Sequence, residues 1–303
     1  MRIFLTGASG YIGGAVAAAL LAAGHRVAGL VRSDERAGQV RALGIEPVLG
    51  TLSDAAVLAQ AARAADAVIN AANADDRGAA EALLAALEGS GKTYIQTSGS
   101  CIVADAAGGA ATTAVYEDDT PVHPLPARAA RVALNATVTG AAARGVRAIV
   151  IAPTMIYGRG TGLNPNSIQV PRMVAAAKKS GAGRYVGAGE NVWSNVHVED
   201  LTDLYLKALA AAPAGAFYYA ENGESSMREI AVAISRRLGF DGRTAPMTLA
   251  EAVAEYGEPM TLYSLGSNSR VRAVRARREL GWAPRRPSLL DEIARGSGVG
   301  EAA

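Results

Sequence analysis

The run Thr6-Gly7-Ala8-Ser9-Gly10-Tyr11-Ile12-Gly13 stands between a short apolar segment, Arg2-Ile3-Phe4-Leu5, and an alanine-rich stretch from Tyr11 to Ala23. The first segment reads as a buried strand and the second as a helix. The glycines recur every third residue, and each spacing has a physical use. Gly7 permits a tight turn, Gly10 lets backbone approach a pyrophosphate, and Gly13 lets the helix pack closely on the strand. Phosphates would lie at the helix N-terminus, where unpaired N–H groups and the macrodipole attract anions. A second strand follows at 26–31, so the context fits a dinucleotide-binding crossover, with Ser9, Tyr11 and Ile12 beside the phosphates.

Working outward, strand-like segments at 2–6, 26–31, 46–49, 67–70, 93–97 and 146–151 alternate with helix-like segments at 11–23, 35–43, 54–64, 77–89 and 125–144. Such alternation predicts a parallel sheet with helices on both faces. The expected class is α/β, a Rossmann-type doubly wound parallel sheet with a smaller, discontinuous C-terminal substrate lobe. Residues 1–157 form the dinucleotide-binding core, with segments returning at about 195–222; residues 158–194 and 223–303 form the lobe. In the second half, helices are expected at 171–179, 199–211 and 227–238, and strands at 195–198 and 217–220. The small-residue stretch 108–113 reads as a mobile loop.

Bulk properties narrow the function. The chain has 303 residues, half of them hydrophobic, and a net charge of +2, which argues against a nucleic-acid partner. The single cysteine, Cys101, excludes an internal disulfide and fits a reducing, cytoplasmic setting. Residues 3–24 carry no charge, but glycines and hydroxyls interrupt the run, so a secretory signal is not expected, nor is a membrane partner. The three histidines, His25, His123 and His197, are not clustered with other ligands, and no metal is expected.

The second strand ends Leu30-Val31-Arg32-Ser33-Asp34. An NAD site of this type places a carboxylate there for the ribose 2′-hydroxyl. Arg32 occupies that place, with Ser33 beside it and Arg36 a turn on. A guanidinium forms paired bonds to phosphate, so NADP(H) is favoured over NAD(H). The competing reading has Arg32 at a solvated strand end and Asp34 on the ribose.

Taken together these segments resemble the extended, and especially the atypical, short-chain dehydrogenase/reductase family, which includes NAD-dependent epimerase/dehydratase-like proteins. The resemblance spans nearly the whole chain. Thr6 to Gly13 matches its glycine turn, Asn70-Ala71-Ala72 the small-residue turn after the fourth strand, and Thr97-Ser98-Gly99-Ser100 the end of the fifth. Ala152-Pro153-Thr154-Met155-Ile156-Tyr157-Gly158 looks like its sixth-strand motif. His197-Val198-Glu199-Asp200 and Leu280-Gly281-Trp282-Ala283-Pro284 match two late motifs. The resemblance implies a nicotinamide cofactor contacted also by Leu52, Ala71, Ala72, Thr97, Arg131, Pro153 and Ile156. It gives His197 a structural role and has Asp200 or its neighbours cap the next helix. It leaves open a homodimer through the fourth and fifth helices.

Catalysis in that family uses Tyr-x-x-x-Lys at the start of the fifth helix, the lysine making the phenolate accessible near neutral pH. By the spacing to Asn135, Ala127 stands where the tyrosine would be and Arg131 where the lysine would be. Arg131 can hold a ribose but stays protonated and shuttles no proton. Arg128, Arg131 and Asn135 share a helical face, either lining the site or meeting solvent. Tyr157 is the first substitute acid to test, with packing on the cofactor edge as the alternative. Ser98 and Ser100 can orient a carbonyl.

Glu117-Asp118-Asp119 reads as a solvated turn. Trp193, Tyr185 and Met173 are candidate apolar walls for a small-molecule substrate, and Arg270 and Arg272 candidate cations. The activity these residues suggest is NADP(H)-dependent hydride transfer to a small carbonyl, imine or related compound. Two alternatives stay open: a nucleotide-sugar epimerase or dehydratase, and a non-catalytic NADP-binding, redox-sensing regulator.

Overall fold

The computed structural model describes residues 1–296; the last part of the expected second lobe, 297–303, lies outside them. Five strands build the first half of the main sheet: β1 (Arg2–Thr6), β2 (Arg26–Val31), β3 (Glu46–Leu49), β4 (Ala67–Asn70) and β5 (Thr93–Thr97). They alternate with α1 (Tyr11–Ala22), α2 (Asp34–Ala42), α3 (Ala55–Ala64) and α4 (Arg77–Leu87), followed by α5 (Pro126–Gly140). Strands Arg147–Pro153 and Ala216–Ala220 complete a seven-stranded sheet, in the order β3-β2-β1-β4-β5, then Arg147–Pro153, then Ala216–Ala220. Every pairing in it is parallel.

The sheet is hydrophobic on both faces because both are covered. Ile3, Phe4 and Leu5 are all fully buried, and each contributes about 1.5–3 kcal/mol by leaving water. Ile3 and Leu5 join the core under α1, α2 and α7 (Val198–Ala211), while Phe4 joins the core under α3, α4 and α5. A third apolar cluster lies around α6 (Gln169–Ser180) and α8 (Met227–Arg237).

Strand order reverses between β1 and β4, so their C-terminal ends open a crevice. A buried polar ladder pins its floor. Thr6 Oγ1 donates to Asn70 Oδ1 at 2.5 Å, and Asn70 Nδ2 donates to Gln96 Oε1 at 3.0 Å. Burying these groups is tolerable because they are paired.

The expected elements are present with small shifts. The fifth helix ends at Gly140 and continues as a 3-10 turn, Ala141–Arg144, closed by Gly145 at φ +71°. The strand expected at 195–198 runs Val192–His197, because His197 Nδ1 accepts the Glu199 N–H and starts α7. The loop expected to be mobile is tied down. The Gly109 N–H donates to Gly266 O at 2.9 Å, Asn268 Nδ2 to Ala110 O at 3.0 Å and Arg270 Nη1 to Thr112 O at 3.0 Å. Asp118 corrects the reading of a solvated acidic turn: it is half-buried and accepts the N–H groups of Tyr219 and Arg275 at 2.7 and 2.8 Å. No helix among the described residues is long and apolar enough to cross a membrane.

Candidate functional site

The glycine turn is a backbone cradle. Gly7 sits at φ +77°, and its carbonyl accepts the Gly10 N–H at 2.8 Å. A Cβ on Gly13 would stand 2.1 Å from Gly7 O, and one on Gly7 would stand 2.7 Å from Ala71 O. Neither neighbour can yield, since both are main chain. Gly10 precedes α1 without any side-chain cap, and the first turn of α1 holds no acidic residue. Its N–H groups are left for an external anion.

The crevice beyond this turn has a volume of about 950 Å³. Gly7, Ser9, Gly10, Arg32, Leu52, Ala71 and Ala72, which the sequence reading named for a cofactor, line it. Arg36, Thr51, Ser53, Asn73, Leu163 and Asn164 also face it. Its lining includes two arginines and no carboxylate. Asp54 is occupied elsewhere: it accepts the N–H and hydroxyl of Thr51 at 2.6 and 2.8 Å, and these bonds hold its carboxyl below the usual range. Ser33 is the N-cap of α2, accepting the Arg36 N–H at 3.3 Å. Ile12 and Tyr11 pack against the core beneath the turn. The Tyr11 hydroxyl donates to Gly158 O at 2.8 Å, and burial pushes its pKa far up, so it anchors the Gly158–Gly162 loop.

Thr97, Arg131, Pro153 and Ile156, expected on the cofactor, are not among the residues lining this crevice; strand tips and α5 bring them into a second group. The Ser98 N–H donates to Ile151 O at 2.7 Å. The space a Cβ on Gly99 would take lies 3.4 Å from Arg131 Nη1, 3.7 Å from Cys101 Sγ and 3.9 Å from Pro153 O. Ser98 is 6% exposed, and its hydroxyl is buried without a hydrogen-bond partner. Ser100 differs: its Oγ accepts from Ser269 Oγ at 2.9 Å. Thr97 Oγ1 and Tyr205 OH share a buried bond of 2.6 Å, and Ile156 is buried just beyond Pro153.

Arg131 is held by a residue the sequence reading missed. Its Nε donates to Asp75 Oδ1 at 2.7 Å, its Nη2 to Asp75 Oδ2, and its Nη1 to Cys101 Sγ at 3.0 Å. The paired bonds to Arg131 hold the Asp75 carboxyl below its ordinary pKa. The only sequence signal for Asp75 is the acidic pair Asp75-Asp76 after the fourth strand; its partner lies 56 residues away. The rest of the expected α5 face divides. Arg128 lies over the Tyr263 ring at 4.6 Å, and Asn135 is buried with its Nδ2 unpartnered.

Tyr157 does not meet this group. Its ring is 2% exposed, packs edge-on against His197 at 5.4 Å, and its hydroxyl donates to Pro287 O at 2.7 Å. Burial pushes its pKa well above the usual phenol value. This corrects the expectation of a substitute acid: the proton is committed to a carbonyl outside the crevice. Arg270 and Arg272 are corrected likewise, since both pair with Glu224, at 2.7 and 3.0 Å. Trp193 and Met173 are core residues rather than walls, and the indole N–H donates to Ser267 O.

The two late motifs hold each other. Asp200 does not cap α7; its carboxylate accepts the N–H groups of Arg285 and Arg286 at 2.9 and 3.0 Å, while Trp282 Nε1 donates to Asp200 O at 2.9 Å. His197 is the cap, and burial lowers its pKa.

A family model described as the NAD dependent epimerase/dehydratase family matches residues 3–218. An uncharacterized protein of Schizosaccharomyces pombe is 32% identical, covering 97% of this chain and 98% of that protein. A 4-hydroxy-2-methyl-3-oxo-4-farnesyl-3,4-dihydroquinoline-1-oxide ketoreductase of Stigmatella aurantiaca is 28% identical over all of this chain and 98% of its own. Among solved structures, the dTDP-glucose 4,6-dehydratase of Bacillus anthracis, determined in complex with NAD, superposes with a TM-score of 0.76 over 99% of this chain and 95% of that one, at 19% identity. With the glycine cradle, the parallel sheet and the late motifs in their places, the chain belongs to the NAD-dependent epimerase/dehydratase family.

Proposed function

We propose that the protein is an NADP(H)-dependent oxidoreductase that reduces a small carbonyl, imine or related unsaturated compound, working without a Tyr-x-x-x-Lys pair. The observation that carries this reading is the 950 Å³ crevice whose lining includes the glycine turn, Arg32 and Arg36 but no carboxylate. A dinucleotide fits it by chemistry: main-chain N–H groups for the pyrophosphate, guanidinium groups for a ribose phosphate, and small residues at Ala71 and Ala72 along its length. The bound cofactor supplies hydride to an electrophilic carbon, and the product takes up one proton.

The residues at the Pro153 end then have separable tasks. Arg131, fixed by Asp75, holds a ribose hydroxyl or polarises the substrate oxygen but releases no proton. Ser98 has an unspent hydroxyl that can donate to a developing oxyanion. α5 contains neither tyrosine nor lysine, so the proton comes from solvent, or the substrate arrives already protonated, as an iminium ion does. The ketoreductase of Stigmatella aurantiaca supports reduction of a ketone as the reaction type.

The test is direct. Purified protein is titrated with NADPH and NADH, then incubated with NADPH and a panel of ketones, aldehydes and imines. Saturable NADPH binding and substrate-dependent oxidation at 340 nm, a wavelength set by the cofactor, are expected. Absence of both, or tightly retained NAD with turnover of a nucleotide sugar, overturns the reading.

A further inference from the structure

The stretch Gly158-Arg159-Gly160-Thr161-Gly162 carries a glycine at every second position. In extended chain, alternate residues share one side. Here the glycine side is turned inward: Gly158 and Gly160 are buried and Gly162 is half-buried, while Arg159 and Thr161 are exposed.

That bare side rests on the start of α1. The Tyr11 hydroxyl holds Gly158 O at 2.8 Å. A Cβ on Gly160 would stand 2.9 Å from the Tyr11 ring, and one on Gly162 would stand 2.5 Å from Gly14 Cα. The segment is therefore a strap laid across the first turn of α1, main chain against main chain, an approach that a side chain would block.

Past Gly162 the strap enters the nucleotide crevice. Leu163 and Asn164 line it together with Gly7, Ser9 and Gly10. The Gly160 N–H donates to Pro165 O at 2.9 Å and closes the turn. Leu163 is taken up in packing against the core. Asn164 is exposed, and its Oδ1 accepts the Asn166 N–H at 3.2 Å. A main-chain N–H can only donate, so it takes the amide oxygen and leaves Nδ2 to donate elsewhere. Among the described residues Nδ2 has no hydrogen-bond partner.

We propose that Asn164 is a cofactor-binding residue, carried by the strap to the glycine turn, where its Nδ2 donates to the pyrophosphate. The assignment rests on the nucleotide reading above and adds to it a residue from the stretch expected to form the substrate lobe. The diphosphate is then held between the N–H groups at the start of α1 and the Asn164 amide. The chemistry suits that place. Arg32 and Arg36, the two arginines of the crevice, stand at the end of β2 and on α2, so the glycine turn itself offers only neutral donors. Main-chain N–H groups reach a diphosphate from the α1 side, and an amide on the strap supplies a donor from a second segment.

The experiment reads binding rather than turnover. The full chain is titrated calorimetrically with NADPH, NADH and ADP-ribose, the last carrying the pyrophosphate without a nicotinamide. Asn164→Ala is expected to weaken all three about tenfold, the loss of one hydrogen bond to a charged group. Asn164→Asp, which sets a carboxylate against the phosphates, should weaken them about 30-fold. Thr161→Ala, on the outward side of the strap, should bind all three as the parent does. Thermal midpoints should stay level, because Asn164 and Thr161 are both exposed. The proposal is overturned if Asn164→Ala binds ADP-ribose as the parent does, if only the aspartate variant loses affinity, if the loss is confined to NADPH, or if Thr161→Ala loses as much. A parent that binds none of the three overturns the strap and the nucleotide reading together. A parent that prefers NADH, or that binds all three and reduces no carbonyl, removes the NADP(H)-dependent reductase reading alone, and the tenfold loss in Asn164→Ala still upholds the strap.

Discussion

The glycine-turn crevice and the cluster around Arg131 are built by different means. At the Thr6–Gly13 end, eight consecutive residues make the site almost wholly from main chain: a carbonyl turn, an uncapped helix start, and glycines whose missing Cβ atoms leave room. Around Arg131, side chains from three separate segments converge, Asp75, Cys101 and Arg131, with the unpartnered Ser98 three residues before Cys101. A main-chain site depends on conformation, so few substitutions are tolerated and the pattern stays local. A side-chain site depends on partners, so each member can change while the place in the fold is kept. That contrast accounts for a chain with an intact nucleotide turn and an α5 without tyrosine or lysine.

The largest effect is expected at the main-chain end. Gly13→Val would drive a side chain into Gly7 O, which already stands 2.1 Å from where a Cβ would be. Overpacking of this kind costs about 1–3 kcal/mol, and the turn must open to relieve it. NADPH affinity, followed by fluorescence titration, should fall about 100-fold, equivalent to ~2.8 kcal/mol. An unchanged dissociation constant would break the comparison at its root, because the cradle would then tolerate what the geometry forbids.

Next comes Arg32, the side chain on which the NADP(H) proposal turns. Arg32→Ala removes a charge-assisted bond worth about 1.5–3 kcal/mol. NADPH should bind about 10–100-fold more weakly, while NADH binding changes by less than about threefold. An equal loss for both would return Arg32 to a solvated strand end.

At the side-chain end the expected losses are smaller. Asp75→Ala leaves Arg131, whose side chain is 14% exposed, without its carboxylate. The Asp75 side chain is 51% exposed, so after solvent screening the stability loss should be about 1 kcal/mol. Turnover should fall about tenfold if Arg131 touches the reacting groups. The pH dependence has a definite sign. The folded-state pKa of Asp75 is depressed, so its contribution is complete above the unfolded carboxylate value and is lost as pH falls toward the folded one. Acid titration of thermal midpoints, parent against Asp75→Ala, should therefore converge at low pH.

How much was legible in the sequence follows the same division. The strand and helix pattern of the first half was readable because apolar runs and turn residues are local; β1 to β5 lie at the expected positions. The glycine turn was readable for the same reason. The Asp75–Arg131 pair spans 56 residues, the Ser100–Ser269 bond 169, and the clasp of Asp200 on Arg285 and Arg286 85 and 86. Residue type suggested that each was polar and placed near something useful, but not what held it. Asp118 shows the limit well: a short acidic run in a loop reads as solvated, yet its carboxylate accepts two main-chain N–H groups from elsewhere in the fold.

The smallest expected effect is at Tyr157, and it sharpens the comparison most. A tyrosine beside the sixth strand's end invites an acid role, and removing a positioned general acid costs about 10²–10⁴-fold in rate. The geometry assigns it a different task. The hydroxyl donates to Pro287 O at 2.7 Å, joining segments 130 residues apart, and the ring rests edge-on against His197. Tyr157→Phe keeps the ring and loses one hydrogen bond, worth about 0.5–1.5 kcal/mol. The thermal midpoint should drop by about 2 °C. Turnover and its pH profile should stay within about twofold of the parent, since a phenol with its pKa raised by burial and its proton committed to a carbonyl does not titrate in the working range. A hundredfold loss of turnover with an unchanged midpoint would move the proton donor back to Tyr157. The proposed reaction centre would then move from the cluster of Ser98, Cys101 and Arg131 toward the Met155–Tyr157 strand.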